Sequence, residues 1–148
     1  MSDLTFTIRA EWAGSGGEGE GTLNTGGQRL RYSAPANMGG KGVGTSPEEL
    51  LLAAVTSCYS GTLFRVLERQ QLPVQRVAIK TTGTVEGYPK EARYSRLMVS
   101  PIILGGDPDR QPAYEAAAIQ SRDLCFIGKT VRDYLDYVVG PVEVQATA

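Results

Sequence analysis

A run of uncharged, mostly apolar residues at positions 50–64 predicts a buried helix near the middle of the chain. Ser46 can cap the first free N–H groups of this helix, and Glu49 lies three residues later, which completes a capping box. Pro47 suits the first helical position, where its missing N–H costs nothing. Fifteen residues rich in Thr, Ser and Gly are a poor membrane span. We therefore predict that residues 45–65 form a helix packed inside protein.

Alternation of apolar and polar positions predicts strands on both sides of this helix. A Gly26-Gly27 pair is a turn signal between two of them, and Gly87 to Pro89 is another. Pro101 lies late in a long strand, so we expect an edge position or a bulge there. The predicted strands are residues 4–12, 21–24, 28–32, 74–85, 92–104 and 137–144.

Two further helices are predicted near the end of the chain, at residues 112–122 and 124–137, with Asp123 as the cap of the second. The order is strands, buried helix, strands, helices and strand. Such an order is typical of an α+β fold with an antiparallel sheet. A length of 148 residues suits one domain, so we predict a single domain over residues 1–148.

Charge and composition restrict the possible partners. The 15 basic and 16 acidic side chains are interspersed and leave a net charge of −1, so no basic stripe points to nucleic acid. We see no N-terminal targeting segment and no long apolar run. The sequence therefore predicts a soluble, cytoplasmic protein without nucleic-acid or membrane partners.

Histidine is absent, which excludes Cys-His and Ser-His nucleophile pairs and His-ligated metals. Two cysteines 67 positions apart predict neither a disulfide framework nor a tetrahedral zinc site. The glycine-rich residues 13–21 lack the Lys-Ser/Thr ending of a phosphate-binding loop. We therefore expect no metal and no cofactor, and any chemistry must use thiols, carboxylates and guanidinium groups.

Cys58 lies near the middle of the predicted helix, where a cysteine is either a small core side chain or a nucleophile. A nucleophilic thiol needs a positive neighbour, here an arginine held by a carboxylate. Glu48 is ten residues earlier, about 15 Å along a continuous helix. If Glu48 helps to organise the site of Cys58, it comes from a second copy of the chain or the helix bends. We favour two copies packed about a two-fold axis.

The stretch GGKGVGTSPEELLLAAVTSC resembles the osmotically inducible protein C and organic hydroperoxide resistance (OsmC/Ohr) family, and so does the position of Cys125 in SRDLCFIGKTV. The resemblance implies an intertwined homodimer with swapped N-terminal strands and curved antiparallel sheets around long central helices. It also implies a thiol peroxidase that reduces organic and lipid hydroperoxides. An external dithiol, of the lipoyl type, would restore the thiols.

Site residues follow from the same resemblance. Cys58 matches the peroxidatic cysteine, Cys125 the resolving cysteine and Glu48 the glutamate of the Pro-Glu motif. The first glycine-rich loop holds no arginine, so the chain resembles the OsmC branch, with Arg31 as the activating arginine and Arg29 in reserve.

An apolar pocket for an alkyl hydroperoxide is predicted beside Cys58. Ordinary core or dimer packing is the alternative for the same side chains. Two other functions remain open, a non-catalytic binding protein with inert cysteines and a redox sensor that uses a disulfide between Cys58 and Cys125. The predicted pocket residues are Leu51, Val55, Tyr59 and Leu63.

Overall fold

The computed structural model describes residues 1–146. The chain divides into two compact units, Met1–Leu51 and Leu52–Ala148, which we call the N-terminal and C-terminal units.

An antiparallel three-stranded sheet forms the N-terminal unit, from β1 (Arg9–Ala13), β2 (Glu20–Thr25) and β3 (Gln28–Tyr32). The predicted turn between β2 and β3 is confirmed, because Gly26 and Gly27 both have positive φ, 55° and 77°. The first strand begins later than predicted. The last residue pair between β1 and β2 is Arg9 with Asn24, and the chain then turns back into β3. Residues 4–8 therefore have no partner strand within this unit.

The central helix α1 extends over Pro47–Arg69. Its predicted start is confirmed, since Ser46 Oγ accepts the Glu49 N–H at 3.2 Å and donates to Glu49 Oε1 at 2.9 Å. At 23 residues it is longer than the predicted helix, and by length and composition alone it could cross a membrane. One face, however, is core of the C-terminal unit: Val55, Tyr59, Leu63 and Leu67 have no exposed surface.

The sheet of the C-terminal unit is mixed. Strands β4 (Arg76–Glu86) and β5 (Arg93–Leu104) form an antiparallel hairpin, while β6 (Asp136–Val139) and β7 (Glu143–Gln145) lie parallel to β5. The predicted edge position or bulge at Pro101 is wrong, because β5 is internal and the register shift lies at Thr84/Val85. β6 pairs with β5 before Pro101 and β7 after it, so the missing N–H falls at a gap in the pairing.

Two helices follow the hairpin, α2 (Gln111–Leu124) and α3 (Phe126–Val131). The predicted cap at Asp123 is wrong, because α2 continues to Leu124 and Cys125 caps α3 instead. The second helix is also shorter than predicted, because the chain turns after Val131 to form β6. The predicted α+β class is confirmed, and two helices do follow the hairpin, although their boundaries differ from the predicted ones.

Candidate active site

The two cysteines meet in the C-terminal unit. Cys58 comes from the middle of α1 and is partly exposed, whereas Cys125 lies between α2 and α3 and has no exposed surface. Both side chains belong to one core cluster, and the two thiols are close enough for each to influence the pKa of the other. Both are free thiols in this structure. Two residues 67 positions apart in the chain are therefore neighbours in the fold.

Backbone geometry fixes the position of Cys125. The residue ends α2 by donating its N–H to the Ser121 carbonyl at 3.0 Å, and its own backbone is extended. The Cys125 Sγ then accepts the Gly128 N–H at 3.4 Å, which satisfies one free donor of the first turn of α3. The sulfur is thus a helix cap as well as a neighbour of Cys58.

The environment of Cys58 favours its thiolate. Burial acts against the charged form, but hydrogen bonds outweigh it and lower the pKa of Cys58 below its ordinary value. The donors are the backbone N–H groups of Ile127 and Phe126, the Cys125 thiol and the Thr62 hydroxyl. Thr62 also donates to the Cys58 carbonyl oxygen at 2.9 Å. A lowered pKa makes Cys58 the more nucleophilic thiol of the pair at neutral pH.

The environment of Cys125 has the opposite effect. Burial, and then the hydrogen bond and charge of Cys58, raise the pKa of Cys125 to about 11, although the Gly128 N–H and Tyr137 partly oppose this. Cys125 is consequently protonated at neutral pH. The two thiols are therefore differentiated: Cys58 ionises at lower pH than Cys125 does.

Two buried tyrosines accompany the cysteine pair. Tyr59 donates to the Ala118 carbonyl at 2.9 Å, and burial raises the pKa of both Tyr59 and Tyr137. The ring of Tyr137 covers Gly128 so closely that a Cβ on that glycine would lie 2.3 Å from Tyr137 Cε2. Sequence reasoning missed both Gly128 and Tyr137. Gly128 lies in the stretch SRDLCFIGKTV that carries the resemblance, but nothing in the sequence links it to Tyr137, and only the packing of the Tyr137 ring over Gly128 joins the two.

The predicted pocket residues lie mostly in the core. Val55, Tyr59 and Leu63 have no exposed surface, and Leu51, in the N-terminal unit, is half-buried. These burials agree with the core-packing alternative. Exposed apolar surface beside Cys125 comes instead from its two chain neighbours, Leu124 at 45% and Phe126 at 65% exposure.

The other predicted site residues belong to the N-terminal unit. Arg31 Nη2 lies 2.9 Å from Glu20 Oε2, and Lys41 Nζ lies 3.3 Å from Glu20 Oε1. The hydrogen bond from Arg31, followed by Lys41, lowers the pKa of Glu20. Glu48 is half-buried in the first turn of α1, and Arg29 is exposed. The structure therefore shows Arg31 as a cation held by Glu20, and its pairing with Glu48 stays a prediction.

Over residues 1–146, we find no group of three or more Cys, Asp or Glu side chains arranged to hold a metal ion. The chemistry available from the described side chains is that of a thiolate beside a second thiol.

The protein has an α+β fold with a long core helix, and packing in the core brings two distant cysteines together. These features are those of a small thiol protein. The chain belongs to the OsmC-like protein family, whose model matches residues 39–136. That match includes α1 and both cysteines. It supports a redox- or peroxide-related role.

Individual relatives agree with this assignment. The chain is 28% identical over 151 residues to the uncharacterized protein YmaD of Bacillus subtilis, which covers 100% of this chain and 95% of that protein. The organic hydroperoxide resistance protein OsmC of Legionella pneumophila matches with a TM-score of 0.73 and 21% identity, over 95% and 99% of the two chains. An OsmC-like protein of unknown function from Vibrio cholerae matches with a TM-score of 0.75 and 16% identity over the same shares. These two structures establish the fold.

Proposed function

We propose that this protein is a thiol-dependent peroxidase that reduces organic hydroperoxides to alcohols, with Cys58 as the peroxidatic and Cys125 as the resolving cysteine. The observation that supports this most is the pair of neighbouring thiols in one core cluster, in which the pKa of Cys58 is lowered and that of Cys125 is raised. Family membership and the description of the Legionella relative as an organic hydroperoxide resistance protein point in the same direction.

The reaction follows from the two thiols. The Cys58 thiolate attacks the terminal peroxide oxygen, the O–O bond breaks, and the alkoxide leaves and takes up a proton to become the alcohol. Cys58 is then a sulfenic acid. Cys125 loses its proton and attacks the Cys58 sulfur, which forms the disulfide and releases water. An external dithiol, of the lipoyl type, reduces the disulfide and is itself oxidised.

We assign to Arg31 the stabilisation of negative charge on the departing oxygen, and to Glu48 the orientation of that arginine. Glu48 precedes Cys58 by ten residues of one helix, about 15 Å, so a second copy of the chain supplies it in our proposal. An exposed small-residue face of α1, with Ala54, Ser57 and Gly61, supports a homodimer in which two helices pack closely.

The substrate is an organic rather than an inorganic peroxide. Exposed apolar side chains flank Cys125 at Leu124 and Phe126, and they suit an alkyl or acyl chain better than water. Contact with Leu51, Val55, Tyr59 or Leu63 remains part of the proposal, and it requires the core to open beside Cys58. We place the protein in the cytoplasm, where dithiol reductants keep such cysteines reduced.

The proposal is tested by hydroperoxide consumption. We expect the protein to consume cumene hydroperoxide in the presence of dihydrolipoamide, and to consume hydrogen peroxide at least about tenfold more slowly. Cys58→Ser should abolish turnover, whereas Glu68→Gln, an exposed change on the same helix, should leave it unchanged. If the wild-type protein consumes no more hydroperoxide than the Cys58→Ser variant does, the proposal is wrong.

A further inference from the structure

The Tyr137 hydroxyl is a buried polar group that the peroxidase mechanism above does not use. The residue is only 6% exposed, and within residues 1–146 its Oη makes no well-formed hydrogen bond. A polar atom within its reach is the sulfur of Cys125. A buried hydroxyl without a partner is destabilising, so its position beside a sulfur requires an explanation.

Packing fixes the ring in this position. Tyr137 lies on β6, opposite Leu97 of β5, and its ring covers Gly128 at the start of α3. Gly128 is also the residue whose N–H donates to Cys125 Sγ at 3.4 Å. The backbone amide and the tyrosine hydroxyl therefore converge on the same sulfur, and the absence of a side chain at Gly128 makes room for the ring.

We propose that Tyr137 is a positioning residue for the second step of the reaction, in which its O–H donates to the Cys125 sulfur as negative charge develops there. This inference rests on the proposed function, because it assigns a role within the disulfide-forming step. In this structure, where both thiols are reduced, Tyr137 Oη has no hydrogen-bond partner among the described residues. A hydrogen bond to a charged sulfur is stronger than one to a neutral thiol.

The step has a clear order of charges. Once Cys58 is a sulfenic acid it is neutral, so its charge no longer opposes ionisation of Cys125. Cys125 loses a proton and its sulfur attacks the Cys58 sulfur. The S–S bond forms, the S–O bond breaks, and the leaving hydroxide takes up a proton as water. Tyr137 keeps its own proton throughout, because burial raises its pKa.

Among residues 1–146, Cys58 and Tyr59 face Cys125 from α1, and Tyr137 faces it from β6. On α2, the Arg122 guanidinium pairs with Asp123 at 2.9 Å, and its charge acts on Tyr59. Burial also raises the pKa of Tyr59, so Tyr59 is neutral over the pH range in which Cys125 titrates. If substitution of Tyr137 shifts the pH dependence of disulfide formation, the shift would therefore report the ionisation of Cys125.

Tyr137→Phe tests the inference, because it keeps the ring over Gly128 and removes only the hydroxyl. By rapid mixing with cumene hydroperoxide, we expect sulfenic acid formation on Cys58 to stay within about twofold of wild type. Disulfide formation should slow by about tenfold, and its pH profile should move to higher pH. Tyr114→Phe is the matched control: its hydroxyl is buried but donates to the Pro73 carbonyl at 2.6 Å, away from the cysteines.

A second measurement separates this inference from the proposed function. An aromatic disulfide such as 5,5′-dithiobis(2-nitrobenzoate) forms a mixed disulfide with Cys58 and releases one coloured thiolate. Attack by Cys125 then forms the protein disulfide and releases a second. This second release should slow by about tenfold in Tyr137→Phe even if no hydroperoxide is ever reduced. An unchanged second release in Tyr137→Phe, or an equal slowing in Tyr114→Phe, would overturn the inference.

Discussion

Cys58 and Cys125 carry the same side chain in two regions that treat it in opposite ways. Around Cys58, in the middle of α1, N–H, S–H and O–H donors converge on the sulfur and lower its pKa despite burial. At the junction of α2 and α3, Cys125 is fully buried and acts as the donor, so its pKa rises to about 11. The comparison teaches that burial disfavours both thiolates, and that only the donors around Cys58 outweigh it.

Uncharged groups account for much of this difference. Sequence reasoning requires a guanidinium near Cys58, because no histidine is available. Within the C-terminal unit the backbone N–H groups of Phe126 and Ile127 already favour the Cys58 thiolate. These N–H groups are available because the break between α2 and α3 places them in the first turn of a new helix. In the proposed reaction, the arginine would then act mainly on the negative charge that develops on the peroxide oxygen.

Exchange of each cysteine for serine is the strongest test of the contrast. Cys58→Ser should lower the rate of the first peroxide turnover by about a thousandfold or more, since no nucleophile remains. Cys125→Ser should keep that first turnover within a few-fold and then stop, with one or more oxygen atoms added to Cys58 by intact mass. Equal losses of first-turnover rate in the two variants would mean that the thiols are not differentiated.

The pH dependence of thiol reactivity should separate the two residues next. In Cys125→Ser, the rate at which iodoacetamide alkylates Cys58 should reach half its maximum at a pH below the pKa of an ordinary thiol. The reason is that a lowered pKa preserves the Cys58 thiolate at lower pH. In Cys58→Ser, alkylation of Cys125 should still be rising well above that pH, because the protein keeps Cys125 buried and protonated. At pH 7 the thiolate fractions in the wild-type protein should differ by at least about a hundredfold. Coincident pH profiles would contradict the opposite shifts.

Removal of the arginine should have an intermediate effect. Arg31→Ala should slow peroxide reduction by about tenfold to a hundredfold, as the loss of a group that stabilises developing negative charge does. Iodoacetamide alkylation of Cys58 should change much less, because hydrogen-bond donors other than Arg31 favour its thiolate. Arg29→Ala, an exposed arginine on the same strand, is the control. If Arg29→Ala slows turnover and Arg31→Ala does not, the assignment passes to Arg29.

The smallest effect should come from the glycine beneath the ring of Tyr137. Gly128→Ala would push that ring away from Cys125, and we expect the free energy of unfolding to fall by about 1–3 kcal/mol in urea. In Gly61→Ala the new Cβ meets no atom within 4 Å of this chain, so the helix should gain up to about 1 kcal/mol. A loss of stability in Gly61→Ala that depends on protein concentration would instead indicate that a second copy covers this face of α1.

Local patterns predicted a large part of the fold. The start of α1 at Ser46 and Pro47 and the Gly26-Gly27 turn lie where short-range rules place them. Residues 4–8 and Asp123 show where those rules fail. A strand needs a partner at the right register, and a capping residue competes with its neighbours for the same free N–H groups.

The sequence by itself determined that thiol chemistry can use only Cys58 and Cys125 and has no histidine to assist it, because it contains two cysteines and no histidine. It also determined the helix that carries the first of them, through caps and an uncharged run that act within a few residues. Only the tertiary structure decided which donors surround each sulfur. Gly128, Tyr137 and Thr62 reach the pair through packing between elements far apart in the chain, and a hydrogen bond depends on positions in space that no local pattern encodes.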